Sequence, residues 1–539
     1  MSGRELEPEA RQWVESTLKS LSLEELCGQI CCVGGGSDDS TVDYLAENWQ
    51  RVPVGGIFTW HGTLDDHRRR ISRLQESARI PLLVSSDLES GPASIVDAPQ
   101  FPDALAVSAA GNAEWAYAAG ECAARFARAC GINWAFAPVV DLNLNPDNPI
   151  TNTRSWGDRP DRVIPLTAAF IRGLQEHHVA ACAKHFPGDG VDDVDQHVTT
   201  SVNRLSLEEW KRLHGRVFAA MIGEGVATIM IGHIALPAWD GDKVVGGIPR
   251  PATLSRRITT RLLREEMGFR GLITSDDMNM GGVAGCLGRP ERTLAIFESG
   301  CDVLLLAHVP DDFEILLEAV RSGRIEAGRL RASVRRILEL KAALGLHRGA
   351  SFAPEPDAAD RLRWQEIAGK IACSAVHCVR NERGVLPLRG LRSGSRVLTV
   401  TMSLDESELP VVDEELRRRG FQVDHLRNPA DFDFFRKTGR YDAVFVNFAI
   451  KATWCSMTVR CVGPRNLMFM NAFYREHPAA VFTSFGSPYH LRSLRNLHTY
   501  LNVYSDSVPS QKAAVAAWLG EIRSPEGTPP VRIPGSGLD

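Results

Sequence analysis

Val179-Ala180-Ala181-Cys182-Ala183 runs straight into Lys184-His185-Phe186-Pro187-Gly188-Asp189-Gly190, and Asp195-Gln196-His197 follows. An unbroken apolar run without alternation predicts a strand buried on both faces, as in a parallel sheet. The proline and the glycines turn that strand into a loop. The loop carries four aspartates and a second histidine within ten residues. Ionisable groups crowded at the carboxyl end of a buried strand mark the place where α/β proteins put their chemistry.

Similar short runs recur along the chain at Ile30–Val33, Gly56–Trp60, Pro81–Ser86, Trp134–Leu142, Val179–His185, Thr228–Ile234, Gly271–Ser275 and Val303–Ala307. Helical spacing separates them, as in Leu21–Cys27, Ala113–Cys130, Val163–Glu176, Leu207–Ile222, Leu254–Met267 and Pro290–Glu298. Eight strands alternating with helices predict a (β/α)8 TIM-type barrel, here residues 1–348, over a doubly wound sheet with the same alternation. The strand ends favour the barrel, because they carry Asp87, Asp141, Lys184-His185, His233, Asp276-Asp277 and His308. Barrel sites are assembled from such ends.

Arg348–Pro356 has the composition of an exposed linker, and a helical stretch, Arg361–Val379, follows it. Residues 349–390 are therefore expected to form a linker and connecting helix. A second α/β pattern, with strands at Arg396–Met402, Ala443–Ile450, Ala480–Phe485 and Thr499–Tyr504, predicts a smaller α/β sandwich domain over 391–539.

A net charge of −5 gives no basic footprint, which argues against nucleic acid as a partner. No apolar run approaches the ~20 residues of a membrane span. The polar, acidic start has no signal-like apolar core. Twelve cysteines are scattered without Cys-x-x-Cys spacing, which predicts reduced, buried thiols and a cytoplasmic protein. Oligomeric state leaves no trace in the pattern.

Asp276 and Asp277 follow Leu272-Ile273-Thr274-Ser275. Successive residues leaving a strand point opposite ways, so one carboxylate can face the barrel mouth and act as a nucleophile while the other serves the structure. Asp195 and His197 are two apart, which lets the carboxylate orient the imidazole for proton transfer. His185, Asp189, Asp192, Asp193, Asp195, His197 and His233 are also possible metal ligands. A metal-dependent amidohydrolase-like barrel is thus an alternative, weakened because no His-x-His follows the first strand. A non-catalytic sugar-binding protein is another, which the intact Asp276, Asp195 and His197 argue against.

Taken together, Lys184–Gly188 with Asp195 and His197, Ser275-Asp276-Asp277-Met278-Asn279-Met280, Arg154-Ser155-Trp156-Gly157, Phe136–Asp141 and Met230–His233 resemble glycoside hydrolase family 3 in its NagZ-like β-N-acetylglucosaminidase branch. Arg380–Leu388 is similar to that family's entry into its second domain. The resemblance implies a retaining exo-β-N-acetylglucosaminidase (a β-N-acetylhexosaminidase) with no cofactor and no metal. Asp276 would be the nucleophile, and His197, assisted by Asp195, the acid and then the base. Asp87, Arg154, Lys184, His185, His233 and Asp141 would bind the sugar, a GlcNAc-containing oligosaccharide or glycoconjugate. Trp60 and Trp156 offer flat faces for a pyranose, or core packing. Phosphorolysis of the same substrates, or β-glucosidase or β-xylosidase activity, are the alternatives within the family.

The chain departs from the family pattern in three places. Asp87-Leu88-Glu89-Ser90-Gly91-Pro92 lacks the arginine expected after the glycines. Asp189 stands where the branch has histidine. Gln196 stands where serine is commoner in the dyad.

Overall fold

The computed structural model describes residues 6–36, 38–48, 52–431, 433–522 and 529–536; the first residues of the polar start lie outside them. Eight parallel strands form one sheet: β1 (Cys31–Gly34), β2 (Gly56–Phe58), β3 (Leu83–Ser86), β4 (Trp134–Ala135), β5 (Ala180–Phe186), β6 (Thr228–Ile231), β7 (Leu272–Ser275) and β8 (Leu304–Leu305). Their spatial order is β8-β1-β2-β3-β4-β5-β6-β7, and a parallel bridge between Thr274 and Val303 brings the ends together. The expected barrel is therefore present. Capping boxes start its helices where a small hydroxyl precedes an acid by three residues, at Ser22/Glu25, Thr63/Asp66 and Ser206/Glu209.

The strands are shorter than the apolar runs suggest. β4 was expected to reach Leu142, but its ladder stops at Ala135. Pro138 has no N–H to donate, and Phe136–Leu142 continues as loop, with an isolated bridge from Val139 to Lys184. β8 stops before Leu306, whose φ of 53° leaves the extended region. Trp134 lies fully buried, its Nε1 donating to Thr228 Oγ1 at 2.8 Å. Trp156 packs edge-on to Phe170 and is equally buried, so of the two readings of that indole it is core.

The second sheet has six strands: β9 (His377–Asn381), β10 (Arg396–Ser403), β11 (Gln422–Arg427), β12 (Ala443–Ala449), β13 (Ala480–Ser484) and β14 (Thr499–Asn502), in the order β9-β14-β13-β12-β10-β11. Only β9 runs antiparallel to its neighbour. It lies inside the stretch read as linker and connecting helix. The segment before it is not loose either: Ala353 N donates to Arg128 O at 3.0 Å. Helix Ala358–Ala375 then joins the two units, with Trp364, Ala368 and Ile371 in the barrel's core and Ala372 in the core of the second. Among the described residues no helix is long and apolar enough to cross a membrane. All twelve cysteines are free, eight of them buried.

One buried cation stands apart from the site. Lys341, on helix Ala327–Ala343, is fully buried and donates to Gln29 Oε1 at 2.7 Å, with no ion-paired carboxylate among the described residues. Burial lowers its pKa from 10.5 to about 7. Between those values the unfolded chain binds the extra proton, so this group's contribution to stability rises with pH and is smallest at pH 7 and below. Lys341→Met is expected to lose that rise. The unfolding free energy of wild type minus variant should increase by about 2 kcal/mol from pH 7 to pH 9. Denaturant titrations at the two pH values measure it, and a flat difference would contradict the burial argument.

Candidate active site

The strand ends deliver their ionisable groups to one face of the barrel, and each buried carboxylate there is met by donors. At the end of β5, Lys184 is 3% exposed. Its Nζ reaches Asp87 Oδ1 at 2.8 Å and Glu89 Oε1 at 2.7 Å. Arg154 grips the same Glu89 in a two-pronged pair, Nε to Oε2 and Nη2 to Oε1, both at 2.8 Å. Burial pushes the Glu89 carboxyl up, but Arg154 and Lys184 more than reverse it and hold it well below the usual range. Burial alone would lower Lys184, yet Asp87 and Glu89 hold it above its ordinary value. Both cations therefore stay charged. Asp87 keeps a side chain 41% exposed, so it can take sugar hydroxyls.

The loop after β5 needs its glycines. A Cβ on Gly190, whose φ is 95°, would lie 1.9 Å from Leu142 O. One on Gly188 would lie 2.3 Å from Nδ1 of His214, which a wide helical turn at Lys211–Gly215 holds beneath it. This close packing folds the loop back on itself. Asp141, fully buried, accepts from His185 Nδ1 at 2.7 Å and from the amides of His185 and Asp189. His185 Nε2 then lies 4.0 Å from Asp276 Oδ2.

Asp276 and Asp277 leave the end of β7 into different surroundings. Asp277 Oδ1 accepts from the backbone and side-chain nitrogens of Asn279, both at 2.8 Å, and so closes the turn. Asp276 is 9% exposed and accepts from the Asp277 amide at 2.8 Å. Burial raises its carboxyl, but His185, His233 and that amide outweigh burial and leave it below the ordinary value. It is an ionised carboxylate with few local partners, which suits a nucleophile.

The Asp195–His197 pair is bound to the same loop. His197 O accepts from Gly281 N at 2.8 Å, and Gln196 O accepts from Gly282 N at 3.0 Å. Asp195 Oδ1 accepts from His197 N at 2.8 Å and Nδ1 at 2.6 Å. A carboxylate acceptor puts the ring proton on Nδ1 and leaves Nε2 for proton exchange. Asp195 Oδ2 accepts from the amide of Cys455, in the second domain, at 2.9 Å, and Trp454 stacks on the His197 ring.

Several expected sugar ligands occupy other places. His233 is fully buried, its Nδ1 paired with Thr253 Oγ1 at 2.9 Å and its Nε2 donating to Asp277 O at 2.8 Å. It braces the turn behind Asp276 and has no nitrogen left for a sugar. Asp141 likewise acts through His185 and the loop amides. Trp60 stands at the rim, 37% exposed and edge-on to Phe58 at 5.1 Å. His308 turns to Asp311 at 3.3 Å. Among the described residues no cluster of three or more His, Cys, Asp or Glu could hold a metal ion. Glu89 stood in the quoted motif without a role, although it ties Lys184 to Arg154. Nothing in the local sequence pointed to Trp454 and Cys455, some 260 residues from Asp195.

The two departures near the dyad are partners. Gln196 Nε2 donates to Asp189 Oδ2 at 3.2 Å, while Gln196 Oε1 accepts from His233 N at 2.9 Å. Asp189 Oδ1 is held by Asn148 Nδ2 at 3.0 Å and Gly190 N at 2.7 Å. Burial first, and then Asp141, raise Asp189 to about 6. It supports the dyad loop from behind.

The model for the glycosyl hydrolase family 3 N terminal domain matches residues 22–340. A beta-N-acetylglucosaminidase/beta-glucosidase of Cellulomonas fimi is 34% identical over 541 residues, covering 96% of this chain and 95% of its own. Among solved structures, the beta-glucoside phosphorylase BglX bound to 2FGlc superposes with a TM-score of 0.89 at 28% identity, covering 100% of this chain and 99% of its own. A family 3 beta-N-acetylglucosaminidase from Paenibacillus sp. str. FPU-7 gives 0.82 at 26% identity, covering 95% and 99%.

The Asp189–Gln196 contact makes a direct prediction. Gln196→Ser leaves a buried carboxylate oxygen and the His233 amide short of partners, at a cost of about 1–3 kcal/mol. Asp189→His combined with Gln196→Ser, which installs the branch's commoner pair, should deviate from additivity by about 0.5–3 kcal/mol. Denaturation midpoints of the two single variants and the double variant measure this. Strict additivity would mean that the two positions are independent.

Proposed function

The chain belongs to glycosyl hydrolase family 3, and from that premise we propose that it is a retaining exo-β-N-acetylglucosaminidase, removing terminal GlcNAc from oligosaccharides or glycoconjugates. The observation that carries the proposal is the shared loop. One short segment bears the ionised Asp276 and is hydrogen-bonded through Gly281 and Gly282 to the backbone of the Asp195–His197 pair. A nucleophile and a proton carrier held in one frame are what a two-step displacement needs.

In the first step an Asp276 oxygen bonds to the anomeric carbon as the glycosidic C–O bond breaks. The protonated His197 gives its Nε2 proton to the departing oxygen, and Asp195 stabilises the imidazolium before that transfer. In the second step water attacks the glycosyl ester, His197 takes its proton, and Asp276 leaves as carboxylate. Lys184, Arg154 and Asp87 would hold the hydroxyls of the sugar, with His185 beside the nucleophile. The step needs no metal, because the carboxylate and the imidazole supply nucleophile and acid.

A second reading is favoured by the nature of the acid/base. After the first step His197 is neutral, whereas a carboxylate in its place would be anionic and would repel phosphate. The similarity to a β-glucoside phosphorylase over the full chain supports the same possibility. The name of the C. fimi relative also keeps β-glucosides in view.

A panel of nitrophenyl glycosides tests substrate and acceptor together. The acetamido sugar is expected to have the highest kcat/KM, and a preference for glucoside or xyloside would replace the GlcNAc assignment. Sugar 1-phosphate formed in phosphate buffer would identify phosphorolysis. Asp276→Asn should lower kcat by more than roughly 10³-fold, and a 2-fluoro sugar should label Asp276 in the wild type. His197→Ala should lose roughly 10²–10⁴-fold on substrates with poor leaving groups.

A further inference from the structure

Asp195 has no exposed surface, and one of its two oxygens is closed by the second domain rather than by the barrel. The amide of Cys455 donates to Oδ2, and the neighbouring indole of Trp454 lies over the His197 ring, with centroids 5.4 Å apart and planes at 21°. Trp454 is itself 64% exposed, so it is no part of a core. A large aromatic left in solvent with one face on an imidazole calls for an explanation beyond folding.

The segment that presents these groups is held in shape. Lys451 is anchored on Asp506 at 2.7 Å, close to the half-buried Asp103 of the barrel. Asp103 in turn receives Ser90 Oγ at 3.0 Å and donates its own N–H to Ser505 Oγ at 3.1 Å. Thr453 O accepts from Ser456 N at 3.1 Å, closing a turn around Trp454 and Cys455. Cys455 and Met457 have φ values of 60° and 56°. Left-handed non-glycine residues are strained, and such outliers persist where the surroundings require them. Here the left-handed turn aims the Cys455 N–H at the carboxylate.

We propose that Trp454 and the Cys455 amide are positioning groups for the acid/base pair, so that the second domain completes the catalytic centre of the barrel. This rests on the assignment of Asp195 and His197 made above. With donors on both oxygens the Asp195 carboxylate cannot rotate, and Oδ1 keeps its aim at Nδ1. The indole blocks the imidazole from swinging out of line. Nε2 is then held toward the leaving-group oxygen through both steps.

The test separates this role from simple binding of the leaving group. Proton donation matters in the first step only when the leaving group is a poor one, and kcat/KM reports that step. Trp454→Ala changes an exposed side chain and should fold normally. Its kcat/KM is expected to fall roughly 10- to 100-fold for alkyl glycosides and less than about threefold for dinitrophenyl glycosides. Trp454→Phe should restore most of the loss, and Trp454→Ala should add nothing in a His197→Ala background. No loss, or an equal loss for every leaving group, overturns the positioning role. If His197→Ala itself leaves the dependence on leaving group unchanged, the acid/base assignment fails first, and this inference falls with it.

Discussion

A carboxylate taken out of water must find donors, and this barrel buries several of them within one mouth. Glu89, Asp141, Asp189 and Asp195 each lie at or near a strand end, and each is met by two or more nitrogen donors. Isolated, any one of them would cost several kcal/mol or remain protonated. Many of the donors come from other strand-end loops, and one of those on Asp195 from the second domain, so satisfying the charges also fixes the loops. Lys184 from β5 and Arg154 from the loop after β4 are tied together by Glu89 from the loop after β3. Asp141 from the β4 loop binds the amides of His185 and Asp189 after β5. Asp276 is the exception, because its principal direct contact is one backbone amide. The contrast separates the carboxylates held by several donors from the one held by few.

The barrel was legible because its signal is local. Short apolar runs ending in charge recur at intervals that helices fill, and the structure keeps all eight. Strand lengths were not legible: beyond Ala135 the pairing of β4 becomes irregular, and Leu306 leaves the extended region after β8, neither of which apolar content shows. In the second domain β9 and β11 escaped notice. Both lie at sheet edges, and β11 has the burial of a half-exposed strand, so neither shows a continuous apolar run.

At the site, a motif identifies the type of group but not its direction. His185 lies at the end of β5 and His233 just past β6, and both looked like sugar ligands. His185 sits 4.0 Å from Asp276, whereas His233 spends both nitrogens on Thr253 and the Asp277 carbonyl. The difference lies in partners more than 15 residues away. Asp189 and Gln196 looked like separate departures, each a reason to question the substrate. Their side chains meet, so they form a single substitution in the support of the dyad loop.

Further contacts across the domain boundary fall on the same loops. Asp147, from the loop after β4, takes Arg460 and Arg492 of the second domain, and Asn152 Nδ2 donates to Ser487 Oγ at 3.2 Å. Asn152 stands two residues before Arg154, and Asp103 is bonded to Ser90, next to Glu89. A shift of the second domain would therefore act at once on Arg154 and Glu89 and on the Asp195–His197 pair. A barrel built only from strand ends would leave these long loops to order themselves at their own entropic cost. Pinning them to a second folded unit places that cost in the folding of the whole chain, before any substrate arrives. On this view the second domain's main product is the fixed geometry of the barrel's mouth.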